Sequence, residues 1–415
     1  MRIPAEVRPL HFFLPGMSGY GKSTTIHAMA YQDIKLGRGV CVIDPKGDLV
    51  NQLIHWIPEN RVEDTIYLDL DTPIPIDFMR HTDQDKEVLV GDLIYILEKN
   101  TANKQRMTAI LRDLIVTLLG VPDTTFLDIY YFLVNKRRRD EILLKLRDQD
   151  LKDRWRDRFP GEKEIDPILS RMTTIIRTDS LRAIFGMPNA KLNIEDCMNS
   201  RNSRKIILVN LGGIGESRHI YGSLLVTKIQ QAAFKRHSQK DSERVPFFLY
   251  VDEFQNFQTS SFNQILLMAR GYKLYLHLAS PTIYELDDKV RSAIFSAVTN
   301  YIVFCVSADD TKHFRAIAKP YDHEQLASLP RHYALYKIGN APAEIRRTPQ
   351  PPPFKETSFA EIIRKRTIEH YSCAVPKNKL VSPEEERITG SPRRFTRQDG
   401  QDAHRSPPDN PGTVS

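Results

Sequence analysis

Cysteine is scarce and scattered in this chain of 415 residues. Cys41, Cys197, Cys305 and Cys373 form no C-x-x-C pair, which removes both the usual zinc spacings and a disulfide framework as organising devices. They read as ordinary small apolar residues. Histidine is equally dispersed, with no H-E-x-x-H or comparable cluster, so no zinc chemistry follows. Long apolar runs are missing too. The longest, over 247–251 and 301–306, have the length of a strand, well short of the roughly 20 residues needed to span a bilayer. The N-terminus lacks the charged-then-apolar pattern of a secretory signal. Together these absences leave a cytoplasmic globular protein as the expectation. The formal net charge of +7 is compatible with a polyanionic partner but specifies none.

What is present is concentrated at the start. Residues 16–24 read Gly-Met-Ser-Gly-Tyr-Gly-Lys-Ser-Thr, placing Gly16, Gly21, Lys22 and Ser23 on the G-x-x-x-x-G-K-[ST] spacing of a phosphate-binding loop. Glycines at those positions let successive N–H groups form a concave nest around a phosphate, Lys22 reaches the β/γ oxygens, and Ser23 ligates Mg²⁺. The flanks fit. The apolar run 11–14 suits a buried strand, and 23–35 has helix length, with an N-terminus whose dipole faces the phosphates.

Strand signals continue at 40–43, ending in Asp44-Pro45-Lys46-Gly47-Asp48, and at 65–70. The opening therefore alternates strand and helix, as a parallel α/β sheet requires. Between 83 and 199 the pattern turns helical, over 87–97, 106–119 and 168–185, which reads as an inserted all-α domain. Strand signals resume at 205–209, 246–251, 274–279, 301–306 and 333–338. The expected organisation is a nucleotide-binding domain in two parts, 1–82 and 200–347, split by an all-α domain at 83–199. A tail at 348–415 comes last, rich in proline and charge, expected to be mostly disordered with a short helix over 358–371. The expected fold class is α/β: a P-loop NTPase with a central, mainly parallel sheet flanked by helices.

Hydrolysis needs a second, acidic element. Phe247-Phe248-Leu249-Tyr250-Val251-Asp252-Glu253 delivers two carboxylates to the end of a buried strand, Asp252 to hold the hydrated Mg²⁺ and Glu253 to polarise the attacking water as a general base. A small-molecule kinase explains neither the adjacent glutamate nor the helical insertion.

Read together and in order, "GMSGYGKST", "VIDPKGDL", "LSRMTTIIRTDSLRAIFG", "YVDEFQNF" and "MARGYKLYLHLAS" resemble the type IV coupling proteins of conjugation and type IV secretion systems, the TraD/TraG-like branch of the HerA/FtsK superfamily of DNA-pumping ATPases. The resemblance spans roughly 8–345. It implies a homo-hexameric ring motor that hydrolyses ATP with Mg²⁺ and moves DNA, or a DNA–protein substrate, through sequence-independent backbone contacts. Carried over by position, Gly16, Ser18, Gly19, Tyr20, Gly21, Lys22, Ser23 and Thr24 bind nucleotide. Ser23 and Asp252 serve the metal, and Lys22 and Glu253 the chemistry. Arg270 reaches a neighbouring subunit's nucleotide.

The chain departs from the family pattern in three places. Where the family carries a γ-phosphate-sensing glutamine after the strand that follows the acidic pair, the sequence is Ala279-Ser280-Pro281-Thr282; proline offers no side-chain donor or acceptor, and slow or differently gated hydrolysis is expected. Phe304-Cys305-Val306 stands where Phe-Arg-Val is usual. The family's N-terminal membrane anchor is absent, and the expectation is either recruitment to the inner membrane by secretion-channel or relaxosome partners or a protein that is not part of a membrane pump. The competing reading is a nucleotide-binding adaptor that recruits substrate with weak or no hydrolysis. Lys136-Arg137-Arg138-Arg139 reads as either a DNA contact or a solvated face.

Overall fold

A computed structural model describes residues 7–98, 104–213, 215–350 and 358–373. The chain begins with β1 (Phe12–Pro15), α1 (Lys22–Lys35), β2 (Gly39–Asp44), α2 (Asp48–Leu53) and β3 (Thr65–Leu68). Helices alone come next: α3 (Lys86–Glu98), α4 (Lys104–Leu119), α5 (Asp128–Val134), α6 (Lys136–Lys145), α7 (Gln149–Asp157), α8 (Glu162–Ile176), α9 (Asp179–Phe185) and α10 (Ile194–Asn199). The alternation resumes with β4 (Ile206–Asn210), α11 (Glu216–Phe234), β5 (Phe247–Val251), α12 (Phe262–Met268), β6 (Leu274–Ser280), α13 (Asp288–Ala297) and β7 (Asn300–Val303). After α14 (Ala308–Thr311) and α15 (His323–Ala327) come the hairpin β8 (Tyr333–Ile338) and β9 (Glu344–Arg347), then α16 (Ala360–Tyr371).

Among the described residues the strands form one sheet in the order β3-β4-β2-β5-β6-β1-β7-β8-β9. Its first seven strands are parallel; β8 and β9 join antiparallel. The expected mainly parallel α/β sheet is observed. Strands buried on both faces read as continuous apolar runs, and successive residues serve opposite layers. Phe13, Ile43, Leu249, Val251 and Leu278 face the layer that includes the long helical stretch. Phe12, Leu14, Val42, Phe248 and Tyr250 face α1, α2 and α16. Burying each large apolar side chain contributes roughly 1.5–3 kcal/mol, enough for the sheet to outweigh local preferences at the turns.

Two side-chain clusters fasten helices to the sheet. In the first, Arg8, nearly inaccessible, donates to Asp33 Oδ1 (3.2 Å), Met29 O (2.7 Å) and Tyr250 Oη (2.6 Å), and Tyr250 donates in turn to Asp33. This buried knot ties α1, which succeeds the glycine loop, to β5, which precedes the acidic pair. The second cluster lies at the sheet edge. Thr367 of α16 accepts the outward N–H of Tyr67 (3.1 Å) and Arg364 lies over the Tyr67 ring, so the helix covers part of edge strand β3.

The helix expected over 168–185 divides in two. Thr178 takes an extended conformation (φ −103°, ψ 111°) between the two helices, while its hydroxyl donates back to Thr174 O (2.9 Å). The tail expectation falls partly outside the described residues, at 351–357 and 374–415; the short helix it included is α16. Among the described residues no helix is long and apolar enough to cross a membrane.

Candidate nucleotide site

The loop between β1 and α1 takes its shape from glycine. Gly16 has φ 150° and Gly21 has φ 108°, both in the region that side chains disfavour. A Cβ on Gly16 would lie 2.4 Å from Phe304 Cβ. The loop is pinned at its start, where Gly16 N donates to Ser280 O (3.1 Å) and Met17 N to Cys305 O (2.7 Å). Cys305, the unusual residue just beyond its strand, is buried and meets the loop through its backbone oxygen at Met17 and through its side chain at Tyr20. Ser18 and Gly19 are exposed at the tip, Tyr20 is half-buried and packs on the core, and Thr24 lies in the first turn of α1. Lys22 is buried, and its ammonium donates to Gly16 O and to Met17 O (3.0 Å). Burial pushes its pKa down, against the upward pull of Asp252 and Glu253.

Two strands away, β5 ends at the acidic pair. Asp252 N donates to Ile43 O (3.1 Å), extending the β2–β5 pairing to the start of the turn. Glu253 then adopts φ 48°, uncommon for a side-chain-bearing residue and a form of strain concentrated at functional sites. Its N–H donates to Asp252 Oδ1 (3.0 Å). Ser23 Oγ donates to Asp252 Oδ2 (2.6 Å), so the loop and the acidic turn meet directly. Burial raises the Asp252 pKa, opposed by the Ser23 hydrogen bond and aided by the charges of Asp44 and Glu253.

Glu253 is held on both oxygens. Lys46 Nζ lies 2.7 Å from Oε1, and Gln255 Nε2 donates to Oε2 (3.0 Å). Burial works to raise its pKa, but these two hydrogen bonds and the lysine charges outweigh it and leave the carboxyl below its usual range. Asp44, by contrast, spends its carboxylate on backbone: Oδ1 accepts Lys46 N (3.0 Å), and Oδ2 accepts Leu49 N (2.7 Å) and Val50 N (3.1 Å) at the start of α2. The Asp-Pro-Lys-Gly-Asp turn thus delivers Lys46 to the site and uses Asp44 as scaffold.

The strand order explains the convergence. β6 lies between β1 and β5, so its last residue, Ser280, borders the loop on one side and the acidic turn on the other. Together the site offers an ammonium, glycine-shaped N–H groups at a helix N-terminus, and a hydroxyl–carboxylate pair. That donor set fits a Mg²⁺-bound triphosphate.

Arg270 is not brought to this cluster. It lies in the short turn Ala269–Tyr272 that precedes β6, at the opposite end of the sheet, and is exposed. The basic run of α6 is engaged within the chain: Lys136 with Asp140 (2.7 Å), Arg137 with Glu141 (3.3 Å), Arg138 with Asp128 (2.7 Å), and Arg139 with Phe132 O (3.0 Å) and the Phe159 ring. Lys46 and Gln255 as partners of Glu253 escaped sequence reasoning. Lys46 had a signal in its strand-end turn, and Gln255 in standing two residues after the glutamate.

No curated protein matches the sequence. Several solved structures share the fold at low identity. The plasmid coupling protein TrwB in complex with ADP and Mg²⁺ aligns with a TM-score of 0.62 at 15% identity, covering 86% of this chain and 89% of that one. TrwB with a non-hydrolysable GTP analogue gives 0.63 at 15%, again over 86% and 89%. VirB4 of Thermoanaerobacter pseudethanolicus gives 0.55 at 13%, over 82% and 90%. The family model "Helicase HerA, central domain" matches residues 6–225. That span is more than half of the sequence and contains the glycine loop together with β1 to β4, and by it the chain belongs to the HerA helicase central-domain family.

Proposed function

We propose that the protein is an ATP-hydrolysing ring motor that moves DNA or a DNA–protein substrate, in the manner of the type IV coupling proteins it resembles. The observation that carries this reading is the convergence of Lys22, Ser23, Asp252 and Glu253, with Ser23 Oγ 2.6 Å from Asp252. TrwB, of the same fold, binds ADP and Mg²⁺. In this reading 1–82 and 200–347 are the two parts of the nucleotide domain, 83–199 is the inserted all-α domain, and 348–415 is the tail. The ring is a homo-hexamer working in the cytoplasm and recruited to the inner membrane by secretion-channel or relaxosome partners.

The mechanism is built from the side chains. The N–H groups of Gly16, Ser18, Gly19, Tyr20, Gly21 and the first turn of α1 wrap the phosphates, with Thr24 at its edge. Lys22 exchanges its two carbonyl partners for β/γ oxygens, which offer it full negative charge. Ser23 and Asp252 would hold Mg²⁺, which would supply positive charge against that developing on the transferred phosphoryl group. Glu253, kept ionised, accepts the proton of the attacking water. Arg270, exposed at the far end of the sheet, serves the nucleotide of the neighbouring subunit.

The adaptor reading draws on one feature, the lack of a side-chain amide in Ser280-Pro281-Thr282. The two readings separate on the fate of bound nucleotide. After incubation with ATP and Mg²⁺ and rapid removal of free ligand, a motor retains ADP, with phosphate released. Recovery of intact ATP over many minutes supports the adaptor and contradicts the motor.

A further inference from the structure

The acidic turn contains a glutamine to which neither the family resemblance nor the phosphate chemistry gives a role. Gln255 sits in the single turn Phe254–Phe257, and both of those phenylalanines are fully buried. The turn is clamped from below: Gln258 Nε2 donates to Gln255 O (3.0 Å) and to Glu285 O (3.0 Å), and Gln258 Oε1 accepts Asp287 N (2.8 Å). Gln255 is itself 6% exposed. Its backbone is fixed by aromatic anchors and its side chain is enclosed, conditions under which an amide points where its neighbours require.

Those neighbours dictate its orientation. A carboxylate only accepts, so the NH₂ group faces Glu253 Oε2 (3.0 Å) and the carbonyl faces away. On that far side Ser280 Oγ lies 3.2 Å from Gln255 Oε1 and 2.7 Å from Thr282 O, its single proton shared between them. Ser280 O meanwhile accepts Gly16 N. One amide thus spans the gap from the glutamate to the end of β6, and the loop is one residue beyond.

We propose that Gln255 is the positioning residue of Glu253, and that it supplies from the acidic turn the side-chain amide that Ser280-Pro281-Thr282 lacks at the end of β6. The proposal rests on Glu253 as the general base. Lys46 does a different job on the other oxygen. Its side chain is 44% exposed and it holds Glu253 by charge through a flexible stem. Gln255 is enclosed and neutral, so it fixes the direction of the carboxylate without competing for its charge. Loss of this amide leaves Glu253 present but free to turn.

Two substitutions in the full chain test this. Gln255→Leu removes the amide, and Gln255→Glu keeps its shape while replacing the donor with a second carboxylate. The first readout does not depend on turnover: the ¹⁵N side-chain amide signal of Gln255, assigned as the one missing in Gln255→Leu, is expected to shift in Glu253→Gln, where its charged acceptor is gone. The second readout is ATP turnover, expected to fall about ten- to a hundredfold in both Gln255 variants, with the affinity for ATP within about twofold of wild type. An amide signal unmoved by Glu253→Gln overturns the proposal, as does turnover within twofold of wild type. Loss of ATP affinity in step with turnover overturns it as well, because that marks a merely structural role. If the wild type releases no phosphate, the motor reading fails, while the amide signal still decides whether Gln255 holds Glu253.

Discussion

Glu253→Gln is expected to cut ATP turnover by about a hundredfold to ten-thousandfold while leaving ATP affinity close to wild type. The substitution keeps the length of the side chain and an oxygen for Lys46 to meet, but an amide does not take a proton from water. In the proposed site the nucleotide contacts fall elsewhere, on Lys22, Ser23 and the loop N–H groups, and Glu253 is held by Lys46 and Gln255. Lys22→Ala is the counterpart: it removes the ammonium from the loop and should lower affinity together with turnover. Phosphate release and binding of a fluorescent ATP analogue, measured on all three proteins, distinguish the two patterns. Wild-type turnover no higher than that of Glu253→Gln, with nucleotide bound, contradicts the assignment of Glu253 as base.

Arg270→Ala is expected to lower turnover by about a thousandfold, the low end of the range for an arginine supplied to a phosphoryl-transfer site. The side chain stands at the end of the sheet away from its own loop, so the proposed role places its effect at a neighbour's site. Leu267 and Met268, three and two residues before it, are 59% and 49% exposed. An exposed arginine flanked by exposed apolar side chains has the composition of a surface that another protein covers. Mixing mutant and wild-type subunits at fixed total concentration reads the effect in trans. Activity should fall more steeply than the wild-type fraction; a linear fall removes Arg270 from the neighbour's site.

Much of this was legible in the sequence because parallel strands buried on both faces leave uninterrupted apolar runs. β1, β2, β5 and β6 each begin and end within two residues of the runs that announced them, and the glycine loop and acidic pair stand at the ends expected of them. Strand order was not legible. That β6 separates β1 from β5 is a long-range pairing, and only this order puts Ser280 between the two halves of the site. The break at Thr178 is a turn of one residue's backbone to the extended region, which apolar spacing does not record. β9, with the sequence Glu-Ile-Arg-Arg and three of its four residues exposed, has almost no apolar pattern and forms by pairing with β8. Gln255 escaped because glutamine after an acidic pair looks like ordinary turn polarity until the burial of Phe254 and Phe257 shows that the turn folds inward. The missing amide after β6 was visible as an absence, while its neighbour from the acidic turn required the fold.

The coupling of ATP turnover to DNA tests the motor reading most directly. Turnover of the wild-type protein should rise on adding DNA of unrelated sequences to similar extents, and the stimulation should weaken steeply as salt is raised, because phosphate contacts release counterions. Turnover that is unchanged by DNA at low salt, from protein that binds ATP and assembles into rings, would contradict it.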